Sequence, residues 1–373
     1  MAEAVCKMAF GNGLGAEVET GEGKLLCIAP GSIVMEAVGD VPGAVRIGTV
    51  KKGTINLNGV SFSTSSLLAA NEEPWSRIYP IKSRPDFDGV PALRSGRNMS
   101  VRYRGARIEH PLVYLPVFPG TNCDYDTAKA FRAAGARTRF GVFCNQSEED
   151  IRRSLKDMAA ALAECQILAL SGGFSAGDEP DGSGKFIADI LCNKEISAAI
   201  RKLLERGGLI LGICNGFQAL VKSGLLPYGE AVSEDSPTLF RNDVGRHVSR
   251  VVTTRVASLC SPWLRGFSLG QEHTIAISHG EGKFMVRKDL AEKLLRDGQV
   301  AFQYADADGG ATMQSPDNPN GSYCAIEGIV SANGQILGKM GHSERWEQGL
   351  LKNIPGDKRQ PIFENAVNYF RGE

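Results

Sequence analysis

The string Gly212-Ile213-Cys214-Asn215-Gly216 holds the side chain with the most definite chemistry in this sequence. The apolar run Gly208-Leu209-Ile210-Leu211 precedes it, and Phe217, Leu220, Val221 and Leu225 follow at helical spacing. Cys214 is therefore predicted on a tight turn between a buried strand and a helix, with flanking glycines that permit unusual backbone angles. This is a nucleophile elbow in its cysteine form, presenting one side chain at the carboxyl edge of a sheet. The helix N-terminus there favours the thiolate, the form that attacks carbonyl carbon. The chemistry expected is acyl transfer.

A cysteine nucleophile needs a base and a third group to orient that base. Of the five histidines His110, His247, His273, His279 and His342, the last follows the apolar strand Gln335 to Met340 in the string Gly341-His342-Ser343-Glu344-Arg345, which puts a carboxylate two residues beyond the imidazole. In an extended or turn segment Glu344 can project beside His342, hold its tautomer and stabilise the imidazolium. The Asn215 N–H and the Gly172-Gly173 turn of a neighbouring strand are the candidate oxyanion donors. One such donor is worth about 3 kcal/mol and a positioned base roughly 10² to 10⁴ in rate. The other cysteines, Cys6, Cys27, Cys123, Cys144, Cys165, Cys192, Cys260 and Cys324, read as structural thiols. Cys123 also opens a helix, in Gly120-Thr121-Asn122-Cys123-Asp124, but no matching base shows in the sequence.

The elements that would position these groups alternate after Pro111. Leu112 to Phe118 reads as a strand, Asp124 to Ala134 as a helix closed by Gly135, Arg137 to Phe143 as a strand, and Ile151 to Ala163 as a helix. Gln166 to Leu170 is a third strand, running into Ser171-Gly172-Gly173-Phe174, and Lys185 to Arg206 is helical in two pieces broken near Asn193. That alternation predicts an α/β domain with a doubly wound, mostly parallel sheet, whose sites lie at the carboxyl ends of its strands. From about Leu239 the pattern becomes more β-like. Residues 1–72 read as a smaller α+β segment: a helix over Ala2 to Phe10 stopped by Gly11-Asn12-Gly13, and strands over Val45 to Val50 and Thr54 to Phe62 with a hairpin at Asn58-Gly59. Residues 73–110, rich in proline and arginine, read as an irregular connector, and residues 111–373 form the main domain.

Bulk properties narrow the function further. Lysine plus arginine and aspartate plus glutamate number 42 each, so no net charge recommends nucleic acid as a partner. The 9 cysteines lack CxxC or CxxH spacing, which argues against a disulfide framework or a metal site and fits a reducing, cytoplasmic setting. Neither a signal peptide nor an apolar run long enough for a membrane span is present.

From about Val113 to Phe370 the chain resembles the class I glutamine amidotransferase domain of the phosphoribosylformylglycinamidine synthases. The strings that carry the resemblance are Phe118-Pro119-Gly120-Thr121-Asn122-Cys123-Asp124, Ser171-Gly172-Gly173-Phe174-Ser175-Ala176-Gly177-Asp178 and Gly212-Ile213-Cys214-Asn215-Gly216-Phe217-Gln218. Phe240-Arg241-Asn242, Ser278-His279-Gly280-Glu281-Gly282, Asn318-Pro319-Asn320-Gly321-Ser322 and the His342 string add to it. The resemblance implies a flavodoxin-like fold with Cys214 as nucleophile, His342 as base and Glu344 as its orienter. It implies Gly173 and the Asn215 N–H at the oxyanion. Gly172, Phe174 and Gln218 would seat glutamine, with Asn242 and His279 lining the pocket or the route to a partner domain. Many family members flank the base with prolines, whereas this chain has Gly341 and Ser343.

Residues 1–72 are more weakly similar to the end of the synthetase half of the large, fused form, through Met8 to Gly15 and Val60 to Ser63. No glycine-rich nucleotide loop and no set of Mg²⁺-binding carboxylates is visible. The resemblance therefore implies no cofactor in this chain, with ATP and Mg²⁺ acting in a synthetase half, fused or separate, that takes the ammonia in purine biosynthesis. Two other functions fit the same residues: a cysteine hydrolase of other small γ-glutamyl amides, and a non-catalytic module that docks on a synthetase.

Overall fold

A computed structural model of the protein describes residues 1–21, 23–76, 89–90, 102–174, 184–230 and 237–372. The chain divides into two compact units, Met1–Ser83 and Arg84–Glu373. Among the described residues no helix is long and apolar enough to cross a membrane.

The first unit is α+β. Helix α1 (Ala2–Asn12) runs two residues past Phe10 and ends at Gly13, whose φ of 68° is the left-handed cap that glycine adopts without strain. Strands β1 (Leu14–Val18), β2 (Gly48–Lys52), β3 (Thr54–Leu57) and β4 (Val60–Ser63) form a sheet in the order β2-β1-β3-β4, followed by helix α2 (Thr64–Ser76). Asn58 and Gly59 both have positive φ, 49° and 85°, as the tight turn between β3 and β4 requires. Strand β1 and helix α2 were not foreseen. Gly15 lies inside β1, where a Cβ would meet the Thr54 carbonyl oxygen at 1.8 Å. Val5, Ala9, Val18 and Ile55 make the small core.

In the second unit β5 (Leu112–Val117), α3 (Asp124–Ala133), β6 (Arg137–Val142), α4 (Glu148–Glu164) and β7 (Ile167–Leu170) alternate. Helices α5 (Lys185–Cys192) and α6 (Lys194–Glu205), strand β8 (Leu209–Ile213), and helices α7 (Asn215–Lys222) and α8 (Leu225–Tyr228) continue the pattern. Asn193 does break the long helix: its side chain caps α6, accepting from the N–H groups of Glu195 and Ile196. Strands β9 (Thr238–Phe240), β10 (Val248–Val256), β11 (Glu272–His279) and β12 (Lys283–Met285), helix α9 (Lys288–Arg296), strands β13 (Val300–Tyr304), β14 (Ile326–Val330) and β15 (Ile336–Lys339), and helix α10 (Ile362–Arg371) complete it.

Nine strands form one sheet in the order β11-β10-β13-β14-β15-β8-β7-β5-β6. From β6 to β15 every pairing is parallel, and from β15 outward to β11 every pairing is antiparallel. The family's mixed α/β architecture is thus present, its parallel part extended by the β-rich second half of the sequence. Strands β7, β8 and β15 are buried throughout, because helices cover both faces of a parallel sheet. Helix α4 packs on α6, α5 on α7, and α3 on α10. Most of the proposed connector, including Arg77, Lys82, Arg84, Arg94 and Arg97, lies outside the described residues. Its end is anchored: the Tyr103 and Phe370 rings meet edge-on at 4.9 Å, and the Ile108 N–H donates to the Phe370 carbonyl at 3.0 Å.

Candidate active site

Three neighbouring strands deliver the site. β8 sits between β7 and β15, all three parallel, with Gly338 opposite Gly212 and Lys339 opposite Ile213. Their carboxyl ends therefore lie side by side, bringing Gly172-Gly173, Cys214 and His342 to one edge of the sheet.

Cys214 stands between β8 and α7 with φ 53° and ψ −107°. It is the cysteine itself that takes the strained conformation, which a non-glycine residue keeps only when its surroundings enforce it. The expectation that the flanking glycines supply unusual angles needs correction, since neither Gly212 nor Gly216 has positive φ. They permit close approach instead. A Cβ on Gly216 would stand 2.1 Å from the Leu170 carbonyl oxygen, and one on Gly212 would meet Leu220 Cδ1 at 2.5 Å. The glycines let α7 drop onto the end of β7, and the turn between strand and helix has to bend sharply at Cys214. The Cys214 N–H donates to the Lys339 carbonyl at 2.8 Å, and Sγ lies 3.7 Å from the Ser278 carbonyl.

His342 follows β15 and leads into a single 3₁₀ turn, Ser343–Arg345, which turns Glu344 back toward the imidazole. Nδ1 and Glu344 Oε1 are 2.6 Å apart with both side chains buried. Burial by itself would depress the imidazolium. The Glu344 charge and hydrogen bonds to Cys123, Cys214 and Glu344 outweigh it and hold the His342 pKa well above its usual 6.5. Glu344 is the converse: burial would raise it, but the His342 charge and hydrogen bond dominate and its pKa is lowered. The pair is poised as imidazolium and carboxylate, with the other ring nitrogen left to face the thiols.

On the far side of Cys214, Gly172 sits at the centre of the cluster. A Cβ there would be 3.1 Å from His342 Cε1, 3.3 Å from Cys123 Sγ and 3.4 Å from Cys214 Cβ. Gly173 has φ 152°, and a Cβ on it would meet the Gly120 carbonyl oxygen at 2.6 Å, so only glycine fits this crossing of two backbones. The Phe174 N–H is taken by the Gly120 carbonyl at 2.8 Å, while its ring is partly exposed and lies 6.5 Å from the His247 ring. Residues 175–178 of this string lie outside the described residues. Asn215 occupies the first position of α7.

Gln218, Asn242 and His279 are all buried; the polar atoms of Gln218 and Asn242 bind protein, as does His279 Nδ1, while His279 Nε2 has no hydrogen-bond partner among the described residues. Asn215 Nδ2 donates to Gln218 Oε1 at 3.0 Å, and Gln218 Nε2 donates to the Glu281 carbonyl. Asn242 Nδ2 donates to the carbonyls of His279 and Arg246, at 2.8 and 3.1 Å, and Oδ1 accepts from the Gly282 N–H at 3.1 Å and lies 3.2 Å from His279 Nδ1. Those contacts use every hydrogen-bonding position an asparagine amide has. Asn242 thereby holds the His279–Gly282 loop. Asn320 and Ser322 hold the same loop, each donating to the Gly282 carbonyl, at 2.8 and 3.2 Å. His279 is neutral, its pKa depressed to about 3 mainly by burial and then by the His342 and His247 charges.

Cys123 corrects the reading of it as a structural thiol without a base. It joins the site: Arg345 Nη2 donates to its Sγ at 3.1 Å, and that sulfur lies within 4.8 Å of a His342 ring nitrogen. The base lies far along the chain and only the sheet brings it near. Cys123, His342 and Glu344 hold donor atoms within 4.8 Å of one another, the nearest approach to a metal-ligand set among the described residues. His342 Nδ1 and Glu344 are committed to each other, however, and a guanidinium stands against the sulfur, an arrangement that repels a cation.

Residues 110–370 match the family model described as the CobB/CobQ-like glutamine amidotransferase domain. The chain belongs to this family of glutamine amidotransferases. Within the family it is similar to the phosphoribosylformylglycinamidine synthase subunit PurQ of Salinibacter ruber, 34% identical over 255 residues that cover 68% of this chain and 94% of that one. The PurQ subunit of Dehalococcoides mccartyi is 37% identical over 266 residues, covering 68% and 95%. Among solved structures, PurLQS from Thermotoga maritima aligns with a TM-score of 0.50 at 26% identity, covering 70% of this amidotransferase and 99% of that chain.

Proposed function

We propose that the chain is the glutaminase portion of a phosphoribosylformylglycinamidine synthase, releasing ammonia from glutamine for use by a synthetase. The observation that carries this reading is the meeting of Cys214, the His342–Glu344 pair and the Gly172-Gly173 crossing at the ends of three adjacent strands. Cys214 Sγ attacks the side-chain amide carbon of glutamine, and the resulting oxyanion faces the Gly173 and Asn215 N–H groups. His342 passes its proton to the departing nitrogen, ammonia leaves, and a γ-glutamyl thioester remains. Water, losing a proton to the same imidazole, cleaves the thioester to glutamate and restores the thiol. Glu344 keeps the ring oriented and compensates its charge throughout. No cofactor takes part in these steps. ATP and Mg²⁺ belong to the synthetase, where ammonia replaces an activated amide oxygen of formylglycinamide ribonucleotide. Residues 1–72 fit this reading as the end of a synthetase half.

The test compares glutamine and ammonia as nitrogen donors in a complete enzyme containing this chain. Cys214→Ala is expected to reduce glutamine-dependent turnover by at least about 10⁴-fold while ammonia-dependent turnover persists. Loss of both activities in a correctly folded variant overturns the assignment.

A further inference from the structure

Beside the base lies a charged pair that the chemistry above does not use. Lys339, the last residue of β15, and Glu327 on the adjacent β14 have side chains with 0% exposure, and Nζ is 3.2 Å from Oε1. The Lys339 ammonium also stands 5.4 Å over the Phe302 ring. Removing two charges from water is costly, and apolar residues of similar volume often serve a fold equally well or better. Stability is therefore a poor explanation for this pair. Its hydrogen bonds offer another. Lys339 Nζ donates to the Gly341 carbonyl at 2.7 Å, and the Gly341 N–H donates to Glu327 Oε1. Both backbone polar groups of the residue immediately before His342 are thus gripped by one ion pair. Gly341 is a glycine because of it: a Cβ there would stand 2.8 Å from Glu327 Oε1, 3.0 Å from Lys339 Nζ and 2.7 Å from Ile275 Cγ2. At the same time the Lys339 carbonyl accepts the Cys214 N–H at 2.8 Å. One residue holds the nucleophile through its backbone and the approach to the base through its side chain.

We infer that Lys339 and Glu327 are positioning residues that set the separation and orientation of Cys214 and His342. The pair replaces, with polar contacts, the backbone restraint that prolines beside the base would otherwise supply. This inference rests on the reading of Cys214 and His342 as nucleophile and base. A displacement of about 1 Å between reacting groups can cost about 100-fold in rate.

The experiment uses the full chain, with glutamine hydrolysis and labelling by 6-diazo-5-oxo-L-norleucine as readouts. Glu327→Leu/Lys339→Met removes both charges together and so leaves no unpaired ion. It is expected to melt no lower than wild type and to label to one equivalent per chain at Cys214. Labelling and kcat should nonetheless be about 100-fold slower, with KM little changed. Glu327→Gln/Lys339→Met, which retains an acceptor for the Gly341 N–H, should recover part of that rate, a rescue that a merely structural role would not produce. If the apolar variant fails to fold, the Gln/Met variant carries the test, expected to label several-fold slower than wild type at full stoichiometry. Wild-type rates in either folded double variant overturn the inference, as does a labelled fraction that falls in step with activity. A wild-type chain that is not labelled at Cys214 instead overturns the glutaminase reading itself.

Discussion

The proposed nucleophile and base end adjacent parallel strands, yet the two strand ends are held in different ways. Around Cys214 the contacts are backbone and apolar: Gly216 lies against the Leu170 carbonyl, Gly212 against Leu220, and the sharp bend falls on the cysteine between them. Around His342 they are polar and reach across the antiparallel side of the sheet. Glu327 and Lys339 hold Gly341, Ser343 Oγ donates to Gln360 Oε1 at 2.6 Å, and the His342 N–H donates to the Ala276 carbonyl at 2.9 Å. An elbow can be built from a few consecutive residues, whereas an imidazolium with a buried carboxylate needs partners from several strands. Substitutions on the two sides should therefore fail differently.

Short of removing Cys214 itself, the largest effect is expected on the polar side. Glu344→Gln should lower glutamine hydrolysis by about 10² to 10⁴-fold, because the ring loses both its orienter and its compensating charge. Stability should follow a defined pH pattern. A raised His342 pKa adds stability in full below 6.5 and loses it as pH rises through the folded value, while a lowered Glu344 pKa adds stability in full above 4.5 and loses it as pH falls. The melting-temperature gap between wild type and variant should be widest between those two values. A gap that does not vary with pH would show that the pair is not ionised as described.

A second contrast pits glycine against glycine. Gly216→Ala gains about 1 kcal/mol in helix propensity but forces a Cβ into a backbone oxygen, an overpacking worth about 1–3 kcal/mol, so a net loss of stability is expected in denaturant titrations. Gly341→Ala meets only side-chain atoms, two of them at the ends of the long Glu327 and Lys339 side chains, and should lower the rate of hydrolysis with a smaller loss of stability. The opposite ranking would erase the distinction between the two strand ends.

The smallest effect belongs to Cys123. Its hydrogen bond helps raise His342, so Cys123→Ala should lower the His342 pKa and move the alkaline limb of Cys214 labelling to lower pH. An unmoved limb would remove Cys123 from the site's electrostatics.

Much of the parallel half was legible because each element there is a contiguous apolar pattern with local punctuation. The ends of β5 to β8, the cap at Asn193 and the elbow at Cys214 all follow from neighbours in sequence. Strand β1 carries no such local signal, since Gly15 belongs in it only because the Thr54 backbone packs where a Cβ would stand. Cys123 was set aside because its partners, Arg345 and His342, lie some 222 residues away. Lys339 did leave a trace, a charge inside the apolar run Ile336 to Met340, and such a residue in a central strand implies a buried partner.

The order of residues alone specifies the candidate reacting groups and their spacing: Cys214 on a strand-to-helix turn, and His342 with Glu344 two residues on. Side-chain chemistry and short-range backbone sterics specify these without reference to the rest of the chain. Packing of distant segments was needed to bring Cys123 beside the same imidazole, to make Asn242 the support of a loop, and to let a buried ion pair from β14 and β15 grip the residue before His342. Those outcomes depend on burial and on contacts between distant strands, and burial is what turns a charge that water would screen into one that positions a neighbour.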